Sequence, residues 1–126
     1  VFDPETRVLT SINAGHNPPI VIDDDGANLL TVGCTGLGMF EELVKVREGI
    51  IDIAPSSLLI CYTDGLVEAT NAEGDDFGLK RVQQIALDNK ELSPAALNAL
   101  IIKNVNLFKG DVAYPDDIAL VSCRLL

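Results

Sequence analysis

Short apolar runs separated by turn residues predict β-strands in the first half of the chain. Residues 7–12 alternate between apolar and polar side chains, which is typical of a strand with one buried face. Val8, Thr10 and Ile12 are expected on one side of this strand. Two further runs, 20–22 and 29–32, flank the sequence Asp-Asp-Asp-Gly at 23–26 and therefore predict a β-hairpin.

The later strands are predicted by different patterns. Residues 44–47 alternate, with Val44 and Val46 on one side, as in a strand that exposes its other face to solvent. The run 58–62 is continuously apolar, which is typical of a strand buried on both faces, and a last strand is predicted for 118–123.

Two helices are predicted between these last strands. The first covers residues 77–87, and the second follows Ser93 as N-cap, with Pro94 at the first helical position and Gly110 at its end. The expected buried stripes contain Leu79, Val82, Ile85 and Ala86 in the first helix and Leu97, Leu100, Ile101, Val105 and Phe108 in the second. This order of strands, helices and a closing strand indicates an α+β fold in one domain, residues 1–126.

Composition and charge narrow the class of protein. Apolar residues make up 48% of the chain and charged residues 22%, which indicates a packed domain. The formal net charge of −10 argues against a nucleic-acid partner, because such binding depends on cationic contacts to phosphates. No apolar run reaches the roughly 20 residues of a membrane helix, so we expect no membrane contact from this segment. The three cysteines, Cys34, Cys61 and Cys123, are widely spaced and are expected to be reduced, buried thiols in a cytoplasmic protein.

Two acidic positions are candidates for chemistry because of the strands beside them. Asp64 follows the strand 58–62 and precedes Gly65, whereas Asp116 and Asp117 precede the last strand. If these two strands pair antiparallel, Asp64 and Asp116 meet at the same end of the sheet. Carboxylates without histidine or cysteine nearby suit Mg²⁺ or Mn²⁺, which can activate water for attack on a phosphoryl group. From spacing alone, a simple turn at Asp64 and a solvated loop at Asp116 are the commoner explanations.

Three other segments have chemical interpretations that the sequence does not favour. His16, the single histidine, can act as a general acid, although the Asn-Pro-Pro that follows favours a turn-shaping role. Residues 33–38 are rich in glycine but lack the Lys-Ser/Thr ending of a phosphate-binding P-loop. Residues 23–26 are similar to part of a calcium loop, but Val21 and Val32 stand where that loop needs ligands.

Five short motifs follow one another along the chain. They are Asn-Ala-Gly-His-Asn-Pro-Pro at 13–19, Gly-Leu-Gly at 36–38, a run containing Thr-Asp-Gly-Leu-Val-Glu-Ala at 59–69, Phe-Gly at 77–78 and Asp-Asp-Ile-Ala-Leu-Val at 116–121. In this order and spacing the chain resembles the PPM-type (protein phosphatase 2C-like) serine/threonine phosphatases, in the branch of SpoIIE and RsbU. The resemblance covers essentially all 126 residues.

The resemblance implies a protein phosphatase 2C-like sandwich of two antiparallel sheets flanked by helices, and a centre of two Mn²⁺ or Mg²⁺ ions. Asp64, Gly65 and Asp116 match the family's metal-binding motifs, whereas Asp117 and His16 are expected beside the ligands without contacting the metal. The implied reaction is hydrolysis of phosphoserine or phosphothreonine by a metal-bound hydroxide. The implied substrate is a phosphorylated regulatory protein, an anti-sigma-factor antagonist, in bacterial signal transduction that controls a sigma factor.

The chain departs from the family pattern at its beginning. The family's first acidic motif precedes the Asn-Ala-Gly-His segment, and nothing in this sequence replaces it. We therefore expect residues 1–126 to be the C-terminal part of one phosphatase domain, without its N-terminal strands and inactive in isolation. An open sheet edge would then invite pairing with a second copy as a homodimer. The alternative is a catalytically incompetent PPM-like module that acts in partner binding or dimerisation.

Overall fold

Two β-sheets pack face to face, and two long helices cover the outer face of the larger sheet. This arrangement is seen in a computed structural model that describes residues 1–42 and 45–126. The strands are β1 (Phe2–Asp3), β2 (Val8–Ser11), β3 (Asn13–Ala14), β4 (Ile20–Ile22), β5 (Ala27–Leu29), β6 (Gly33–Cys34), β7 (Gly49–Asp52), β8 (Ser57–Tyr62) and β9 (Leu120–Leu125). The helices are α1 (Asp64–Val67), α2 (Leu79–Asp88) and α3 (Pro94–Lys109). The predicted α+β sandwich flanked by helices is confirmed.

The larger sheet has the strand order β5-β4-β8-β9, and every neighbouring pair is antiparallel. The hairpin predicted around the acidic turn is formed by β4 and β5. In that turn the Asp23 Oδ1 accepts hydrogen bonds from the amides of Asp25 (2.9 Å) and Gly26 (3.0 Å). The predicted strand 58–62 is an interior strand of this sheet, which explains its continuous apolar pattern.

The two faces of the larger sheet bury different sets of side chains. Toward the helices, the sheet presents Ile20, Ile22, Leu58, Ile60 and Tyr62, and the helices contribute Val82, Ala86, Leu97, Ile101 and Val105. Toward the second sheet, Leu9, Val21, Leu30, Ile53 and Leu125 form a smaller cluster. Each large aliphatic side chain buried in this way contributes about 1.5–3 kcal/mol to folding, so the two clusters hold the layers together.

The second sheet is three-stranded, with the order β1-β2-β7. Arg7 connects it to the larger sheet, because its guanidinium group donates hydrogen bonds to the carbonyls of Ile53 (2.9 Å), Ala54 (2.8 Å) and Leu125 (3.3 Å). A separate pair, β3 and β6, is parallel and joins the Asn-Ala-Gly-His motif to the start of the glycine-rich segment 33–38, as described below.

Both predicted helices are present. Ser93 caps α3, since its Oγ accepts a hydrogen bond from the amide of Ala96 (3.3 Å), and Gly110 follows the last residue of the helix. The first predicted helix begins two residues later than expected, at Leu79, because Gly78 has a φ of 80° that a helix does not allow.

Two predictions are wrong in detail. For β2 the sequence predicted only that Val8, Thr10 and Ile12 share one side, and the structure shows that the buried side chain is Leu9, which faces the cluster between the sheets. Of the strand predicted for 44–47, residue 44 lies outside the described residues, and 45–47 are irregular; the strand β7 begins only at Gly49. The cysteines are free thiols but not buried, since Cys34 and Cys61 are half-buried and Cys123 is exposed on β9.

No helix in the described part of the chain is long and apolar enough to cross a membrane.

Candidate functional site

The end of β8 and the start of β9 lie side by side. The antiparallel register pairs Tyr62 with Leu120, and the amide of Thr63 donates to the carbonyl of Ala119 at 3.0 Å. The residue that follows β8 is Asp64, and the loop that leads into β9 contains Asp116. The two strands are therefore antiparallel, which is the condition under which the sequence places Asp64 and Asp116 together, and both aspartates lie at the same end of the sheet.

The hydroxyl group of Thr63 fixes the loop before β9. Its Oγ1 accepts a hydrogen bond from the amide of Ala119 (2.9 Å) and donates one to the carbonyl of Asp117 (3.0 Å). Together with the backbone bond, three hydrogen bonds join Thr63 to this loop. No role was predicted for Thr63 from the sequence, although its place between a buried strand and an Asp-Gly pair is visible there.

Gly65 allows the backbone of that loop to come close to the chain after β8. A Cβ atom on Gly65 would lie 2.7 Å from the carbonyl oxygen of Asp117 and 2.9 Å from that of Asp116. Both distances are shorter than side chains tolerate, and both involve backbone atoms that cannot move aside freely. Glycine is therefore required here for close approach of the two segments.

The two carboxylates are exposed, and each has one oxygen turned to its own backbone. Asp64 begins α1, and its Oδ1 accepts a hydrogen bond from the amide of Gly65 at 2.9 Å. Asp116 Oδ1 accepts one from the amide of Asp117 at 2.7 Å. The second carboxylate oxygen of each residue has no hydrogen-bond donor among residues 1–42 and 45–126.

The chemical type of these oxygen donors fits a hard divalent cation, but their number is enough for only part of a metal site. Carboxylate oxygens are the ligands that Mg²⁺ and Mn²⁺ prefer. However, the described residues contain no group of three or more His, Cys, Asp or Glu side chains placed to hold a metal ion. Asp64 and Asp116 therefore supply part of a metal site. The ligand roles predicted for Asp64, Gly65 and Asp116 stay predictions.

The segment around His16 lies at the same end of the larger sheet. β4 begins with Ile20 opposite Ile60, so the residues that lead into β4 run past the end of β8. His16 is exposed, and its Nδ1 lies 2.9 Å from the carbonyl oxygen of Asn17. The Asn13 side chain closes the turn, accepting from the His16 amide and donating to the His16 carbonyl, both at 2.9 Å. These bonds favour the turn-shaping interpretation, while the positions expected of His16 and Asp117 beside a metal stay predictions.

The Asn-Ala-Gly-His motif packs directly against the glycine-rich segment that follows β5. β3 and β6 pair in parallel, with Asn13 opposite Gly33 and Ala14 opposite Cys34. Gly15 adopts a φ of 81°, and a Cβ atom there would lie 2.8 Å from the Cα of Gly36. This contact was not predicted from the sequence, because a two-residue parallel pair has no recognisable sequence pattern.

The comparison with known proteins agrees with this geometry. The family model described as "Stage II sporulation protein E (SpoIIE)" matches residues 1–126, which is the whole chain. The chain belongs to the SpoIIE family. Among characterised relatives of this SpoIIE-family chain, Protein IcfG of Synechocystis sp. is 26% identical over 124 residues, which are 97% of this chain and 19% of IcfG.

Two solved structures share the fold of this SpoIIE-family chain. The SiaA-PP2C domain of Pseudomonas aeruginosa has a TM-score of 0.77 at 19% identity, over 94% of this chain and 46% of that one. The RsbU and RsbW domains of a Mycobacterium tuberculosis protein give a TM-score of 0.72 at 20% identity, over 98% of this chain and 35% of that one. The expected PP2C-like phosphatase fold is thus confirmed, and the chain spans less than half the length of each of these relatives.

Proposed function

We propose that this chain is the C-terminal part of a metal-dependent serine/threonine phosphatase domain. Its substrate is a phosphoserine or phosphothreonine on a small regulatory protein of the anti-sigma-factor antagonist type. The observation that supports this most directly is the junction of Thr63–Gly65 with Asp116–Asp117, in a chain that matches the SpoIIE family throughout. The proposal for the substrate rests on the family resemblance.

In this proposal Asp64 and Asp116 hold the Mn²⁺ or Mg²⁺ ions. The ions, when bound, supply activation of water and neutralisation of charge on the phosphoryl group. Neutralisation matters because a chain with a net charge of −10 repels a phosphate dianion. The protein's own residues position the ligands: α1 fixes Asp64, Gly65 permits close approach, and Thr63 holds the loop that carries Asp116.

A second candidate function is a catalytically incompetent module that binds a regulatory partner or a second copy of itself. The incomplete donor set favours this candidate, since the described residues offer two exposed carboxylates and no larger metal-binding group. The two candidates differ in whether Asp64 and Asp116 are needed for binding a cation.

The test compares cation binding and phosphate release in matched variants. Calorimetric titration of the folded chain with Mn²⁺ should show weak binding, and Asp64→Asn or Asp116→Asn should weaken it by roughly tenfold or more. Asp111→Asn removes the same charge from an exposed residue that follows α3 and should leave Mn²⁺ affinity unchanged. In a longer protein that includes the upstream part of the domain, Mn²⁺-dependent phosphate release should collapse with Asp64→Asn or Asp116→Asn and persist with Asp111→Asn.

Each contrary result has a definite meaning. Full Mn²⁺-dependent activity from residues 1–126 alone would contradict the proposal that they supply only part of the site. Equal activity in the Asp64→Asn and Asp111→Asn proteins would remove Asp64 from the ligand set. A folded longer protein without activity in any form would favour the non-catalytic module.

A further inference from the structure

The basic side chains of this acidic chain differ in whether other residues of the chain hold them through hydrogen bonds or ion pairs. Of nine lysines and arginines, five are held by other parts of the same molecule. Arg7, Arg81, Lys109 and Arg124 donate to backbone carbonyls, and Lys90 pairs with Asp24. Within residues 1–42 and 45–126, no hydrogen bond or ion pair engages the side chains of the other four, which are Lys45, Arg47, Lys80 and Lys103.

Two of these four lysines and arginines line one surface groove. The groove has a volume of about 550 Å³, and its lining includes Thr31, Gly33, Cys34, Thr35, Lys45 and Arg47. The amide of Arg47 donates to the carbonyl of Gly33 at 3.3 Å, which keeps the basic segment beside β6. We call this feature the basic groove. Both of its cationic side chains are exposed and open to an anion.

The basic groove lies at the same end of the larger sheet as Asp64. β5 ends at Leu29, opposite Ile20, and β4 starts there beside the end of β8. The chain then continues into β6, which pairs with β3 next to the His16 turn. A ligand that extends from Asp64 along this end of the sheet therefore passes the groove.

Exposed apolar side chains follow the groove-lining residue Thr35 in sequence, on the loop after β6. Leu37, Met39 and Phe40 are 72%, 71% and 60% exposed, which is high for three large apolar residues within four positions. The groove offers two cations for an acidic group, and the segment that continues from its lining offers exposed apolar side chains, an apolar strip, for a protein side chain. This combination fits an acidic segment of a protein better than a small anion, which has no use for the apolar strip.

We propose that the basic groove binds the acidic polypeptide segment that flanks the phosphorylated residue of the substrate protein. This inference rests on the proposed phosphatase function. Arg47 provides a planar group that can hold a carboxylate through two hydrogen bonds, and Lys45 provides a second, mobile positive charge. In a molecule of net charge −10, this local positive charge steers an acidic substrate toward the end of the sheet where Asp64 lies.

The first test is direct binding, which needs no catalysis. The probe is a fluorescein-labelled peptide of about twelve residues with one phosphoserine between aspartates, and its anisotropy is followed as the folded 126-residue chain is added. The double charge reversal Lys45→Glu plus Arg47→Glu should raise Kd by about tenfold or more, because like charges then face each other. The control, Lys80→Glu plus Lys103→Glu, changes the net charge equally on exposed positions of α2 and α3 and should leave Kd within about threefold.

The outcomes separate the inference from its alternatives. Equal weakening by both double variants, or no measurable binding by the unaltered chain, would overturn it. Displacement of the peptide by millimolar inorganic phosphate alone would also overturn it, because the groove would then be a phosphate site rather than a peptide site.

A second test uses the longer protein with the complete domain. The groove variant should raise KM for a phosphoprotein with little change in kcat, and its effect on hydrolysis of p-nitrophenyl phosphate, which has no flanking peptide, should be much smaller than its effect on the phosphoprotein. Failure of the proposed function would appear as no hydrolysis of either substrate, and the binding measurement still decides the inference in that case. If both substrates are hydrolysed and the groove variant has an unchanged KM for the phosphoprotein, the inference about the groove is rejected and the proposed phosphatase function stands.

Discussion

At the scale of single residues, the hydroxyl group of Thr63 has a larger structural role than its exposure indicates. It makes one hydrogen bond as acceptor and one as donor, and both partners belong to the loop that contains Asp116. The carboxylate of Asp64 and that of Asp116 are thus positioned relative to each other through a neutral side chain. The Asp-Gly motif makes Asp64 recognisable in the sequence, whereas the hydrogen bonds of Thr63 fix the position of the loop that contains Asp116.

The variant Thr63→Val tests this role. Valine keeps the shape of the side chain but removes the hydroxyl group, so the Ala119 amide and the Asp117 carbonyl lose their partner. We expect the free energy of unfolding to fall by about 1–3 kcal/mol, measured by urea denaturation at neutral pH. Mn²⁺ affinity should fall as well, because the Asp116 loop is less well held.

The matched control is Thr35→Val. Thr35 is exposed and its hydroxyl makes no hydrogen bond within the described residues, so its unfolding free energy should change by less than about 0.5 kcal/mol. Equal losses in the two variants would show that the Thr63 hydroxyl has no special contribution.

At the scale of elements, α3 is the segment whose ends depend most on local signals. Ser93 supplies the cap, Pro94 occupies the first helical position, and Gly110 with a φ of 55° ends the helix. Its buried side, formed by Leu97, Ile101 and Val105, packs on the larger sheet.

Ser93→Ala removes the cap while leaving the buried face of the helix intact. We expect a loss of about 1 kcal/mol in the free energy of unfolding, because the Ala96 amide is left without its side-chain acceptor. Ser93→Asp retains an acceptor at the same position and should recover most of the loss. If alanine and aspartate behave alike in thermal and urea unfolding, the hydrogen bond to Ala96 does not stabilise the helix.

Elements with local signals were predictable from the sequence, and elements defined by distant partners were not. The interior strand β8, the acidic hairpin turn and α3 carry their own patterns of apolar, turn and capping residues. The side of β2 that is buried was not predictable, because both Leu9 and its neighbours are compatible with a strand and only packing in the cluster with Leu125 and Val21 decides. The pair β3–β6 and the Thr63 bonds join residues far apart in sequence and leave no local pattern.

The candidate site was predictable in part for the same reason. Asp64 and Asp116 were recognisable as residues at strand ends and by their resemblance to family motifs, and the antiparallel pairing placed them at one end of the sheet. The basic groove was not predictable, since Lys45 and Arg47 appeared as the polar side of a strand that the described residues do not contain.

At the scale of the whole molecule, the ionisable groups restrict the pH range of greatest stability. Bonding to Lys90 lowers the pKa of Asp24 below its ordinary 3.8, and hydrogen bonds, first from Thr6, lower the pKa of Asp3. These groups contribute stability above pH 3.8 that is lost as the pH falls through their lowered pKa values. Burial raises the pKa of Cys61 above 9.0 and that of Tyr62 above 10.0, so the contribution of each is lost as the pH rises past those values.

The alkaline limit can be tested with Tyr62→Phe. In the unaltered protein the unfolded state ionises Tyr62 more readily than the folded state does, so the free energy of unfolding should decline above pH 10.0. Phenylalanine cannot ionise, and the decline should therefore be smaller in the variant, as measured by urea unfolding at neutral pH and above pH 10.0. Tyr114→Phe serves as comparison, because that ring is less buried and should change the alkaline decline less. An identical decline in all three proteins would contradict the assignment to Tyr62.

The position of β8 between β4 and β9 also determines when the two aspartates come together during folding. Ile60 pairs with Ile20 from the first quarter of the chain and with Ser122 from its final residues, so the sheet needs contacts between distant parts of the polypeptide. Such non-local pairing is slow compared with helix formation. On the ribosome, β9 emerges after every other element, and until then β8 keeps an unpaired edge that neighbouring chains can bind. Docking of β9 therefore ends the period of greatest exposure to aggregation and, in the same step, places Asp116 beside Asp64.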